Sequence, residues 1–174
     1  GYNWFYEREK TFRYLFLDCL GDQFDFEKLR GVNAHYLQKL DTETLYTLIE
    51  THITPNSPRA KDRITALLPL FKERAKTHMD ILPQLEFLLN DGVPSITEEA
   101  AAILTKDAKT RLLDLASKLA KTDWQIDDLN NSIQMFLEHR ALKMHEVGLP
   151  LRAAVTGMKK TPSIVDILAV LGKD

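Results

Sequence analysis

Along nearly the whole chain the apolar residues return at intervals of three and four, and no stretch alternates apolar with polar residues for long enough to build a sheet. That spacing gathers the apolar side chains on one face of a helix, so the expected fold is all-α. Phe24 to Leu40 places Leu29, Val32, Tyr36, Leu37 and Leu40 on one such face. Asp41 then reads as the N-cap of a helix over Thr42 to Ile53, because a short carboxylate accepts from the free N–H groups of a first turn.

Proline and glycine divide the rest. Thr54-Pro55-Asn56-Ser57-Pro58 is turn chemistry, with Ser57 as an N-cap and Pro58 at the first helical position of a segment running through Leu67, Leu68 and Phe71. Pro69 inside that pattern predicts a kink or a restart. Thr77 or a neighbour caps the next segment, Ile81 to Leu89. Asn90-Asp91-Gly92-Val93-Pro94 is the strongest break, followed by Ser95-Ile96-Thr97-Glu98 as a capping box. The break predicts two small helical subdomains, residues 1–92 and 93–174. Beyond it, helices are expected over Thr97 to Leu104, Lys106 to Ala120, Gln125 to Glu146, Pro150 to Thr156 and Pro162 to Leu171.

With 174 residues, 44% of them hydrophobic, the chain has the means to bury a core. No apolar run approaches the roughly 20 residues of a membrane span, and residues 1–10 lack the pattern of a secretory signal, so a soluble chain is expected. The start at Gly1 points to a fragment or a processed chain. A single cysteine, Cys19, leaves no internal disulfide and no multi-cysteine zinc site, and fits a reducing compartment. Histidines 35, 52, 78, 139 and 145 make no HExxH or i, i+4 pair, and phosphate loops and nucleophile elbows are missing. No catalytic residue and no metal ligand is therefore expected.

The acidic pairs Glu98-Glu99 and Asp127-Asp128 lie near predicted helix starts, where negative charge complements the helix dipole. Trp124 reads as a core anchor rather than a stacking platform, and Cys19 as a small buried hydrophobe. The net charge is only −2, so any surface for nucleic acid must be local. One concentration of basic residues comprises Arg59, Lys61, Arg63, Lys72, Arg74 and Lys76, opposed by Asp62 and Glu73. It is either a solvated helix face, which composition favours, or a phosphate-facing stripe. The other is the segment Leu149 to Ile164, where Lys159 and Lys160 precede Thr161, read as an N-cap, and Pro162, read as the first helical residue. Such a helix start suits an anion. It serves equally to start a helix whose Ile164, Ile167, Leu168 and Leu171 pack inward.

The wording of that segment carries a resemblance. Pro150-Leu151-Arg152-Ala153-Ala154-Val155-Thr156-Gly157, then Thr161-Pro162-Ser163-Ile164, then Ile167 to Lys173 resembles the C-terminal signature of bacterial glutamyl-tRNA synthetases. Phe24-Asp25-Phe26-Glu27-Lys28-Leu29 with Asn33 and Tyr36 is similar to the opening of that family's stem-contacting region, and Lys72 to Thr77 to its arginine-bearing helix. The resemblance implies a helical anticodon-binding cage, with residues 1–92 toward the tRNA stem and 93–174 toward the anticodon loop. It assigns base reading to Arg152, Thr161, Pro162 and Ile164, and the third anticodon base to Arg74. Lys72, Lys76, Lys159 and Lys160 are expected on the tRNA backbone. Departures from the pattern are Ser163 for the usual glycine, and Val165 and Asp166 for phenylalanine and glutamate.

The implied partners are tRNA(Glu) and a class I catalytic domain, whose HIGH and KMSKS signatures this chain lacks. The resemblance therefore implies a monomeric, cytoplasmic, non-catalytic part of an aminoacyl-tRNA synthetase. No cofactor is expected in this chain, ATP and Mg being implied only for the absent domain. The alternative is a stand-alone helical protein-interaction module derived from the same domain.

Overall fold

The computed structural model describes residues 25–173; Phe24 and Cys19, with the readings attached to them, lie outside. Among the described residues the chain is all-α: α1 (Phe26–Lys39), α2 (Thr42–Glu50), α3 (Ala60–Lys72), α4 (Glu86–Leu89), α5 (Glu98–Ile103), α6 (Lys106–Leu119), α7 (Ile126–Arg140), α8 (Met144–Thr156) and α9 (Ile164–Leu171). Two 3-10 turns, His78–Asp80 and Leu82–Gln84, separate α3 from α4. No strand occurs among the described residues.

The first corner forms as its sequence dictates. Asp25 caps α1 by accepting from the N–H groups of Glu27 and Lys28, both at 3.1 Å. Asp41 caps α2, taking the Thr44 N–H at 2.9 Å and the Thr44 hydroxyl at 2.7 Å. These bonds hold the Asp41 carboxyl below the usual aspartate range. Thr77 forms a reciprocal box with Asp80, but on a 3-10 turn. The helix expected over Ile81 to Leu89 is broken by Pro83, which has no N–H to give, so only Glu86–Leu89 remains α.

Elsewhere the structure corrects the expected boundaries. Ser57 does not cap α3 directly; its hydroxyl accepts from Arg59 N–H at 3.1 Å in a turn, and the helix begins at Ala60. Pro69 neither ends nor restarts α3, which continues to Lys72 with that proline on its exposed side. Thr97, not Ser95, caps α5. The single helix expected over Gln125 to Glu146 is two. It turns at Ala141, which is left-handed at φ 49°. There Leu142 N–H bonds back to Leu137 C=O at 2.9 Å and Ala141 N–H to Glu138 C=O at 3.2 Å, the pairing of a Schellman turn. The next helix starts at Met144, so Pro150 lies within α8 instead of opening it.

One hydrophobic cluster runs through both sequence halves. Leu45 and Ile49 of α2 join Ile64, Leu67, Leu68 and Phe71 of α3, while Leu129 and Ile133 of α7 and Ile167 of α9 belong to the same cluster. Helix α9 packs on both α3 and α7, which carries the chain's last segment back to its first half. Trp124 is half-buried against this cluster with its Nε1–H bonded to Leu119 C=O at 3.2 Å, as expected of an anchor.

Candidate nucleic-acid interface

The segment that connects α8 to α9 is built around Gly157. This residue ends α8 in the left-handed conformation, φ 72°, with its N–H on Ala153 C=O at 3.0 Å. A Cβ at this position would overlap the Ser95 carbonyl oxygen, so both the backbone angle and the neighbour require glycine. The Gly157 carbonyl accepts from Thr97 twice, from N–H at 3.0 Å and from the hydroxyl at 3.1 Å. Thr156 completes the turn: its hydroxyl donates to Arg152 C=O at 2.8 Å and accepts from Met158 N–H at 3.2 Å. The stretch before α5 is thereby clamped to the C-terminal end of α8.

Lys159 and Lys160 leave this clamp into solvent. Lys159 is 3.9 Å from the exposed Glu99 carboxylate, too long and too wet to hold it firmly. Lys160 makes no hydrogen bond or ion pair with any described residue. Together with Met158 they form one wall of a shallow open groove whose other wall is Thr97, Glu98 and Glu99.

Past the lysines the chain turns inward. Thr161 is 5% exposed, with its hydroxyl on Pro162 C=O at 3.2 Å; Pro162 is buried and Ile164 is 2% exposed. Thr161 is therefore not the N-cap, nor Pro162 the first helical residue. That cap is Ser163, the departure from the family pattern, which accepts from Asp166 N–H at 3.4 Å. A further departure, Asp166, sits in the first turn, where its charge complements the helix dipole. The side chains of Thr161 and Ile164 thus face the interior.

Arg74 follows α3 and donates through Nη1 to Thr161 C=O at 3.3 Å, bridging the two regions that the sequence singled out. Its side chain is otherwise on the surface. Arg152, on α8, is half-buried. Its Nε–H is sealed from solvent and donates to no protein acceptor. Its Nη1 and the Met144 side chain flank Gly148, where a Cβ would lie 3.9 Å and 3.7 Å from them. A guanidinium N–H shielded from water without a partner is costly, and a ligand would have to displace its cover to reach it.

Lys72 and Lys76 each have a partner within the fold. Lys72 Nζ donates to Leu40 C=O at 2.7 Å, closing the end of α1. Lys76 Nζ pairs with Glu27 at 3.0 Å, and Lys76 C=O accepts from Asn33 Nδ2 at 2.7 Å. Both lysines brace α1 against α3. Arg63, nearly buried, meets Asp91 at 2.6 Å. The Ser57 hydroxyl first and the Arg63 guanidinium second hold the Asp91 carboxyl below the usual range. No group of three or more potential metal ligands occurs among the described residues. No described helix is long and apolar enough to cross a membrane.

The Gly157–Thr97 clamp went unforeseen. Thr156-Gly157 at a helix end is a recognisable left-handed cap, but nothing local signals that residues 95–97 lie against it.

Residues 35–174 match the family described as anticodon binding domain. The chain is 34% identical over 178 residues to glutamate–tRNA ligase 2 of Parvibaculum lavamentivorans, covering 97% of this chain and 36% of that protein. It is 34% identical over 163 residues to glutamate–tRNA ligase of Rhodopseudomonas palustris strain HaA2, covering 87% and 34%. It thus spans about a third of the length of these curated relatives. Among solved structures, a glutamate tRNA ligase from Elizabethkingia meningosepticum, crystallised with its amino acid, shares the fold with a TM-score of 0.70. That match is at 24% identity and covers 86% of this chain and 30% of the other.

Proposed function

The chain belongs to the anticodon binding domain family, within the group found in glutamate–tRNA ligases, and on that premise we propose that it binds the anticodon arm of the glutamate tRNA. It would hold that RNA for ATP-dependent glutamylation by a class I catalytic domain. The observation that carries this reading is Arg152: a half-buried guanidinium whose Nε–H has no protein acceptor, in the segment that resembles the family's base-reading signature.

Anticodon bases are unpaired and splayed, so their edges and faces are open to arginine, which supplies several donors or a stacking plane. Arg152 is the base-reading group on this account. Arg74 has a double part, tying Thr161 in place through Nη1 and offering the rest of its guanidinium to the RNA. Thr161, Pro162 and Ile164 act through the backbone and shape of the buried turn. Lys159 and Lys160 face the phosphates. Lys72 and Lys76 act through the α1 brace.

The test is a titration of the chain with glutamate tRNA and with the same tRNA carrying a changed anticodon. Tighter binding of the first supports the reading; equal affinity for both removes sequence reading. Three exposed cations, Arg74, Lys159 and Lys160, at ~0.7 per contact give a log–log salt slope of about −2, or roughly a twentyfold loss from ~50 to ~200 mM salt. Absence of tRNA binding, with a salt-insensitive protein partner instead, would favour the stand-alone interaction module.

A further inference from the structure

Glycine is a poor choice inside a helix, where alanine is far better tolerated, yet Gly148 stands within α8. Neither usual reason for it applies. Among the described glycines only Gly157 and Gly172 have positive φ, so the backbone at Gly148 asks for nothing special. No neighbouring backbone crowds it either: a Cβ here would first meet the Met144 side chain, at 3.7 Å from Cε, and Arg152 Nη1 at 3.9 Å. Those residues stand four before and four after, on the same face of the helix. Long side chains on a helix lean back over the preceding turn, which lays Arg152 over Gly148, while Met144 reaches the same point from the other end. Gly148 is buried although it has no side chain. Its bareness leaves room for the two.

We infer that Gly148 and Met144 are positioning residues for Arg152: together they hold its guanidinium withdrawn along α8, and RNA gains it only by drawing it out. The inference rests on the reading of Arg152 as the base-reading group. Nothing else among the described residues fastens that side chain, since it makes no hydrogen bond or ion pair with any of them and its Nε–H is sealed without an acceptor. The one acid of α8, Glu146, is committed elsewhere: it accepts from Lys143 N–H at 2.9 Å and faces Arg111 at 3.5 Å. A polar group covered but unpartnered makes the withdrawn pose weakly held, so a modest gain at an RNA acceptor reverses it. Met144, 44% exposed, is the movable cover, an unbranched and adaptable side chain. The apparent affinity for tRNA is then the intrinsic affinity reduced by the fraction of chains in which Arg152 is free.

The test follows the Arg152 Nε–H itself by NMR, in the full 174-residue chain labelled with heavy-nitrogen arginine, its signal identified by loss in Arg152→Ala. In the free chain that proton should exchange with water roughly tenfold or more slower than that of the exposed Arg59. Met144→Ala should speed the exchange and tighten glutamate tRNA binding by roughly threefold to tenfold. In an Arg152→Ala background the same change should leave affinity unaltered, because Met144 acts through Arg152. Gly148→Leu, which fills the space, should also speed the exchange while the helical circular dichroism is kept. Fast exchange in the parent would overturn the inference, as would weaker or unchanged tRNA binding by Met144→Ala. Should the parent show no anticodon preference, the function reading fails, and the exchange rates still decide whether Gly148 and Met144 hold Arg152.

Discussion

The basic residues between Arg59 and Lys76 and those at Lys159 and Lys160 look alike in the sequence, yet the fold uses them for opposite purposes. In the first group Lys61 lies over the Tyr46 ring at 5.2 Å, Arg63 meets Asp91, Lys72 closes α1, Arg74 holds Thr161 C=O and Lys76 pairs with Glu27. In the second, among the described residues, Lys159 has one loose neighbour and Lys160 none. The denser stripe is thus mostly internal bracing, and the sparser pair is open charge. The difference teaches that a run of cations becomes a phosphate site only where the fold leaves its charges without acceptors. A clamp such as Gly157–Thr97 achieves this by setting a short loop beside the start of α5, with both lysines exposed.

The most damaging way to break the comparison is to remove that clamp. Gly157→Ala forces a Cβ into the Ser95 carbonyl at a left-handed backbone angle, and should cost about 2–4 kcal/mol. On a chain of this length that lowers Tm by roughly 5–15 °C, read by thermal melting. A Tm within a degree of the parent would show that residues 95–97 do not fix this loop.

Next in size is a pair of contrasting substitutions. Arg152→Ala should weaken glutamate tRNA binding by about 1–3 kcal/mol, roughly fivefold to 150-fold, while Tm barely moves, since the lost Nε–H bonds to no described protein atom. Lys72→Met should do the reverse, costing about 1 kcal/mol of stability through the freed Leu40 carbonyl and changing affinity little. If Lys72→Met lowered affinity as far as Arg152→Ala without loss of stability, the division between brace and binding group would collapse.

How much of this was legible varies with the physics involved. The all-α architecture, the cap at Asp41 and the left-handed end at Gly157 follow from local chemistry visible in a few residues, whereas the cap at Thr97 is signalled two residues early, at Ser95. The corner at Ala141 was hidden because alanine is the strongest helix former, and only the Leu142 N–H to Leu137 C=O bond and the packing of Leu142 show why the chain turns there. Thr161-Pro162 carried the right signal two residues too early. Ser163 has the free hydroxyl at the helix start, and Thr161 is drawn inward with Ile164. The partners of Lys72, Arg74 and Lys76 are 32 to 87 residues away in sequence, so no reading of the charge run alone could have found them. For the same reason the apolar strip on α1 reads as core, although Leu29, Val32 and Tyr36 stay exposed.

A smaller effect sharpens the open-charge side. Lys159→Ala/Lys160→Ala should flatten the salt slope for tRNA by about 1.4, twice the ~0.7 expected per single-strand contact, with stability unchanged within about 0.5 kcal/mol. A slope equal to the parent's would mean that the two lysines face away from the bound RNA.

The smallest effect separates brace from surface by pH. Asp91 titrates below its ordinary 3.8 because the Ser57 hydroxyl and then Arg63 favour its charged form. A carboxyl whose folded pKa is depressed contributes stability that is complete above the unfolded value and is lost as pH falls through the folded one. Parent and Asp91→Asn should therefore differ in Tm by a constant amount above about pH 5, and converge as pH drops below 3.8. Lys159→Ala should differ from the parent at no pH in that window, since Glu99, its loose neighbour, is 76% exposed. Convergence of the Asp91 pair without any change in the Lys159 pair would mark Arg63 as part of the scaffold and Lys159 as free charge, whereas matching profiles would place both on the same exposed surface.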